Sequence, residues 1–118
     1  MDGLHERAQS LSAAFSAASS LVSGACPVRK DRALDLSVTA LVIAPDATHA
    51  VVSSPSGSQY RVRITYGPKG RWWWCSCQDA KWRGRSSGPC KHTVAAASEA
   101  VSTAAAEMAL VASILSVP

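Results

Sequence analysis

The segment from residue 71 to residue 92 reads RWWWCSCQDAKWRGRSSGPCKH, and the interpretation of the whole chain starts from it. It holds three of the four cysteines and one of the three histidines of this 118-residue chain. These residues form two similar pairs, Cys75-Ser76-Cys77 and Cys90-Lys91-His92, which are separated by twelve residues. Three thiolates and one imidazole are a complete tetrahedral ligand set for structural zinc.

The one-residue spacing inside each pair can be met at the end of a strand and at the start of a helix. Residues two apart on a strand face the same side, so Cys75 and Cys77 can face one ion. Cys90 and His92 converge if Cys90 precedes the first helical turn and His92 lies within it, and Pro89 is typical of such a start. The positive helix N-terminus also favours a thiolate. We predict one Zn²⁺ held by Cys75, Cys77, Cys90 and His92, structural because four protein ligands leave no open position.

Two other interpretations of the cysteines stay open at this stage. They could be small core residues that cluster by coincidence, or Cys75 could form a disulfide with Cys77 or Cys90 in an oxidising compartment. Neither explains why His92 completes a set of four. Asp2 and Glu6 against a single Arg7 do not make the positive start of a signal peptide, so we expect reduced thiols in a cytoplasmic protein, or a nuclear one in a eukaryote.

Hydrophobic periodicity around this segment predicts an α+β fold. A helical apolar stripe falls within residues 1–24, and β-branched runs separated by turn residues predict antiparallel strands within 36–77. After the motif, at 75–92, a second helical stripe predicts a long C-terminal helix over 90–116. We therefore expect a single domain, 1–118, in which a small antiparallel sheet carries an N-terminal and a long C-terminal helix and the zinc site joins the hairpin end to the helix start.

The predicted C-terminal helix is rich in alanine, so it needs a partner surface that comes close. The N-terminal helix is one candidate and a second subunit is another. Neither the Ser-interrupted stretch 8–28 nor the apolar run 108–118 has the roughly 20 apolar residues of a membrane span, so we expect no membrane partner.

The two cysteine pairs resemble the SWIM zinc finger, whose motif is C-x-C, a variable loop and C-x-H, preceded by a β-hairpin and followed by a helix. The resemblance covers about residues 50–100, including Gly88-Pro89 and the apolar start of the helix at Val94 and Ala95. It implies DNA binding or protein interaction rather than catalysis. Members of the family occur in chromatin-remodelling proteins, transposases and recombination complexes, whereas here we see no accompanying enzymatic domain.

Positive charge is concentrated in the same part of the chain. Residues 60–92 hold eight of the twelve lysines and arginines and one of the eight acidic residues, so the remainder of the chain is net negative. Such a field attracts a polyanion, and exposed Trp among basic residues is typical of surfaces on which bases stack. The predicted nucleic-acid contacts are Arg61, Arg63, Arg71, Lys81, Arg83, Arg85, Lys91, Trp72, Trp74 and Trp82.

The three consecutive tryptophans cannot all face one side of a strand. If the strand stays extended, Trp73 lies on the face of Cys75 and Cys77, and Trp72 and Trp74 lie on the other. We expect Trp73 and one of its two neighbours to belong to the core, and at least one tryptophan to lie near the surface.

Two hypotheses of function follow. The first is a zinc module that binds nucleic acid through the basic finger region. The alternative is a protein–protein interaction module of a recombination, transposition or chromatin-type complex, in which the helices dock a partner and the finger is purely structural. The sequence shows no nucleophile–base pair, phosphate loop or paired acids, so we expect neither an enzyme nor a small-molecule substrate.

Overall fold

Three helices and four strands make up the part of the chain that the computed structural model describes, which is residues 2–67, 70–77 and 88–117. In chain order they are α1 (Asp2–Gly24), α2 (Pro27–Ala33), β1 (Ser37–Ile43), β2 (Ala47–Ser53), β3 (Gln59–Gly67), β4 (Gly70–Cys75) and α3 (Lys91–Leu115). The predicted fold class is confirmed: in chain order, an antiparallel sheet follows an N-terminal helix and precedes a long C-terminal helix.

The sheet is an antiparallel meander in which the strands follow one another in the order β1-β2-β3-β4. Its side chains alternate, because successive residues of a strand point to opposite faces. On β3, Val62 and Ile64 are buried, whereas Arg61 and Arg63 between them are exposed. One face of the sheet is therefore covered and the other is open.

Helices α1 and α3 pack against each other on the covered face of the sheet. Where they meet, α3 presents alanines that are fully buried, among them Ala96, Ala97, Ala100 and Ala104. Small side chains allow the backbones of neighbouring elements to approach closely, which accounts for the alanine-rich composition of α3. Of the two partners expected for this helix, the structure provides the N-terminal helix.

Helix α2 was not predicted from the sequence. Helix α1 ends at Gly24, and Pro27 occupies the first turn of a new helix, where its missing N–H is not needed. The chain bends by 118° between α1 and α2. Helix α2 packs against α3, so this short segment reaches the region where the C-x-H pair lies.

By length and composition, helix α3 as a whole could cross a membrane, although the run 108–118 alone is too short. Its N-terminal half is built into the fold, since seven of its first ten residues are buried and contact α1, α2 and the sheet. Its first turn also contributes to the cysteine–histidine cluster described next. The first half of α3 is therefore a core element of this domain.

Candidate metal centre

The C-x-C pair lies at the end of β4. The serine between the two cysteines forms hydrogen bonds with the neighbouring strand. Cys75 is the last residue of β4 and pairs with Val62 of β3. Beyond it, the Ser76 N–H donates to the Arg61 carbonyl oxygen, and the Arg61 N–H donates to Ser76 Oγ, both at 3.0 Å. Because the serine is held in this way, both cysteines stay in the core, with exposures of 2% for Cys75 and 4% for Cys77.

The C-x-H pair forms the start of α3. Cys90 is the N-cap residue with an extended backbone, at φ −72° and ψ 168°, and its carbonyl oxygen accepts the N–H of Val94 at 3.0 Å. His92 lies within the first turn and is 4% exposed. This is the arrangement that the one-residue spacing required, because only a non-helical Cys90 can converge with a helical His92.

The approach to α3 is supported by the helix that the sequence analysis missed. Gly88 has φ +81°, in the left-handed region that favours glycine. The carbonyl oxygen of the next residue, Pro89, accepts a hydrogen bond from Arg29 Nη1 of α2 at 3.2 Å. Helix α2 thus fixes the turn that delivers Cys90.

The four predicted ligands come together in one buried cluster. The ligand atoms of Cys75, Cys77, Cys90 and His92 all lie within 4.8 Å of one another. Ligands on a tetrahedral zinc, with Zn–S about 2.3 Å and Zn–N about 2.0 Å, stand about 3.5 to 3.8 Å apart. Cys90 Sγ and His92 Nδ1 are already 3.9 Å apart.

The donor set also fits zinc in kind. Thiolate sulfur and imidazole nitrogen in a closed set of four are the ligands of structural zinc sites. None of the four cysteines, all of which lie in the described residues, forms a disulfide. The cluster therefore fits one structural Zn²⁺, which these four residues would hold and whose part is to join the end of the sheet to the start of α3.

Two neighbours orient the ligands and were not found from the sequence. Thr93 is fully buried, and its Oγ1 lies 3.3 Å from Cys90 Sγ. Because a thiolate can only accept, the hydroxyl donates to it. The ring of Tyr60 stacks on His92 with centroids 3.9 Å apart and planes 28° apart. The signal available in the sequence was a hydroxyl residue directly after the motif, in the first helical turn.

The proton distribution within the cluster already favours a thiolate at Cys90. The pKa of Cys90 is lowered by the hydrogen bond that it receives from the Cys75 thiol, and then by contacts with His92 and Thr93. The same hydrogen bond raises the pKa of Cys75, and burial raises it further. Since the thiolate is the form of cysteine that binds metal, the helix start presents one ligand ready for an ion.

Comparison with known proteins agrees with this geometry. The family model described as the SWIM zinc finger matches residues 71–100, which include β4 after its first residue, both cysteine pairs and the first ten residues of α3. The chain contains a SWIM zinc finger. No curated protein and no solved structure gives a significant match to the chain. The SWIM zinc finger here occupies about a quarter of the sequence, so α1, α2 and the first three strands lie outside the matched region.

Four of the predicted nucleic-acid contacts have side chains that the structure describes. Arg61, Arg63 and Trp74 lie on the open face of the sheet, and Trp74 is 50% exposed. Trp73 points to the covered face and packs on the core, as expected. Lys91 is half-buried at the first position of α3. The side chains of Arg71 and Trp72 on β4, and all of Lys81, Trp82, Arg83 and Arg85, are outside the described residues.

Proposed function

We propose that this chain is a zinc-organised module that binds nucleic acid. The zinc acts structurally, and the basic segment 60–92, which overlaps the SWIM zinc finger, contacts the polyanion. The observation that carries the proposal is the placement of charge. Residues 60–92 hold eight basic residues and one acidic residue, and the same segment of the sequence contains the four ligands.

The described part of this segment supports the proposal in its geometry. Arg61 and Arg63 are exposed on β3, and β3 pairs with the strand that delivers Cys75. A metal site that fixes β4 against α3 therefore also fixes the strand pair that presents the arginines. When the strands that carry the arginines are already rigid, less conformational entropy is lost on binding a phosphate backbone.

Salt dependence tests the proposal, because each phosphate contact releases counterions. We expect the logarithm of the binding constant for DNA to fall linearly with the logarithm of salt concentration, and the double variant R61Q/R63Q to reduce the slope by about 1.4 to 1.8. The matched control is K30Q/R32Q, which removes two exposed charges of α2 and should leave the slope unchanged. Affinity that is indifferent to ionic strength would contradict the proposal.

The remaining functional expectations belong to this proposal. A structural ion without an open position supports neither catalysis nor a small-molecule substrate. A nucleic-acid module with buried thiols fits a cytoplasmic protein, or a nuclear one in a eukaryote, and it needs no membrane partner.

One observation favours the alternative function of protein–protein interaction. Near and beyond the C-terminal end of α3, Leu110, Ile114 and Val117 are 60%, 41% and 70% exposed. Apolar side chains left in water at one end of a helix are typical of a surface that meets another protein. A partner whose capture survives nuclease treatment and is lost in L110S/I114S, with DNA affinity unchanged, would assign this end of α3 to protein binding.

A further inference from the structure

The open face of the sheet carries a row of side chains that crosses all four strands. The register aligns Val42 of β1 with His49 of β2, His49 with Arg63 of β3, and Arg63 with Trp74 of β4. Residues directly opposite each other on antiparallel strands share a face. All four side chains are exposed, and Val42 and Trp74 remain 61% and 50% accessible.

A second row lies beside the first, two residues along the strands. It consists of Ala40, Val51 and Arg61, which are also in register. Adjacent strands are about 4.8 Å apart and alternate residues about 7 Å apart, so the two rows make a platform about 14 Å wide. A groove of about 520 Å³ lies over it, lined by both rows. We call these seven residues the sheet platform.

The charge of the sheet platform is of one sign. No acidic side chain belongs to it, and neither Arg61 nor Arg63 forms an ion pair with any residue in the part of the chain that the structure describes. A second copy of the chain docked through the same face would oppose like charges in a low-dielectric interface, which is unfavourable. A polyanion is the complementary partner, and it would neutralise both guanidinium groups.

The shape of the sheet platform distinguishes a single strand from a duplex. The major groove of B-DNA is about 12 Å wide and admits a helix or a two-stranded ribbon, so a four-stranded face about 14 Å wide does not enter it. A duplex also keeps its bases stacked, and Trp74 would then meet only the backbone. The unstacked bases of a single strand can lie on the exposed indole.

Resting on the proposed nucleic-acid function, we infer that the sheet platform is a single-strand binding surface. One base stacks on Trp74, and the flanking phosphates contact Arg61 and Arg63. The predicted contacts between the two ligand pairs, at residues 81–85, are then not the only ones. The open face of the sheet carries the selectivity for unpaired strands.

The test compares a fluorescein-labelled oligothymidylate with a duplex of oligothymidylate and oligoadenylate, using the full zinc-loaded chain. We expect tighter binding of the single strand. W74A should weaken single-strand binding roughly 5- to 140-fold, because that is the effect of removing one aromatic ring that stacks on a base. W74F keeps a ring and should recover most of the affinity. L34A, at an 80% exposed apolar residue away from the platform, is the matched control.

The outcomes separate this inference from the proposed function. If W74A leaves single-strand affinity unchanged while R61Q/R63Q lowers the salt slope, nucleic-acid binding stands and stacking on the platform is refuted. Preference for the duplex refutes the inference in the same way. If neither nucleic acid binds in a salt-dependent manner, the proposed function itself fails. Zinc content and circular dichroism of each variant establish that it is folded, and the W74F comparison decides the matter should W74A not fold.

Discussion

Helices α1 and α3 run alongside each other, and the two ends of this pair are stabilised by different chemistry. At the first turn of α3, the buried groups include Cys90, His92 and Thr93, which face Cys75 of the sheet. At the far end, the buried groups are apolar: a separate cluster forms around Leu11, Ala14, Ile43, Ala104 and Val111.

The far end also carries a salt bridge that joins three elements. Arg7 of α1 donates to Glu107 of α3, with Nε 2.5 Å from Oε2 and Nη2 3.2 Å from Oε1. Its Nη1 donates to the carbonyl oxygen of Ile43 at the end of β1. Both side chains are about one third exposed, so solvent weakens the pair.

The difference between the two ends shows which part of the fold depends on an ion. The three ligand cysteines belong to the larger apolar core, with Val62, Ile64 and Val94, and together with His92 they gain further free energy by binding a metal. An apolar cluster gains free energy by removing its own surface from water. A mutation in the apolar cluster around Leu11 should therefore leave zinc binding unchanged, whereas loss of the ion should destabilise the whole domain.

Loss of a zinc ligand should have the largest effect. We expect H92A to abolish stable folding, since zinc in finger peptides contributes about 10–16 kcal/mol and a domain of this kind has about 5–15 kcal/mol in total. H49A is the matched control, because His49 is exposed on the sheet and should leave folding intact. Circular dichroism and zinc content measure the folding and metal binding of both variants. An H92A protein that is as stable as the parent would contradict the claim that this end of the fold depends on zinc.

A cavity at the far end should cost less and should leave the metal centre alone. Leu11 is completely buried, so L11A should lower the free energy of unfolding by about 2–5 kcal/mol. Zinc affinity of the folded fraction should not change. L34A, on an 80% exposed residue, should change stability by less than about 0.5 kcal/mol. Denaturant titration with a parallel zinc titration checks both, and a matching loss of zinc affinity in L11A would show that the two ends are one unit.

Removing a hydroxyl beside the metal centre should weaken zinc binding, which L11A should leave unchanged. T93V keeps the volume but loses the hydrogen bond to Cys90, and loss of such a ligand-orienting contact weakens metal binding about 10- to 100-fold. Competition with a zinc chelator measures the change. T103V, on the same helix but away from the ligands, should bind zinc like the parent, and equal affinities for T93V and T103V would remove Thr93 from the account of the site.

The salt bridge should have the smallest effect. R7M keeps the apolar stem and loses the contacts to Glu107 and Ile43, and we expect a loss of about 1 kcal/mol in the free energy of unfolding because the pair is partly exposed. The effect should shrink in high salt. R32M, at an exposed residue of α2, serves as the control. An R7M loss that is unaffected by salt would show that packing, rather than charge, carries the contribution.

The fold class and the ligand set were predictable because they depend on local patterns. Alternation of Val62 and Ile64 with Arg61 and Arg63 marks a strand that is covered on one face, and the three–four spacing of apolar residues marks α1 and α3. The ligands were recognisable because one structural zinc needs four donors, and the two short pairs C-x-C and C-x-H supply four within one segment.

The parts that were missed depend on contacts between distant segments. Helix α2 has seven residues, too few for an apolar stripe to show. The bond from Arg29 to Pro89 joins residues 60 positions apart. The row of Val42, His49, Arg63 and Trp74 depends on strand register, which no single segment of the sequence contains; His49 by itself gave no signal of function.

The central claim is that one zinc ion joins the end of the sheet to the start of α3. Zinc X-ray absorption, on protein purified without added metal, tests it most directly. The account predicts one zinc per chain, with three sulfur ligands at about 2.3 Å and one nitrogen ligand at about 2.0 Å. A chain that folds without zinc, or an ion surrounded mainly by oxygen, would contradict it.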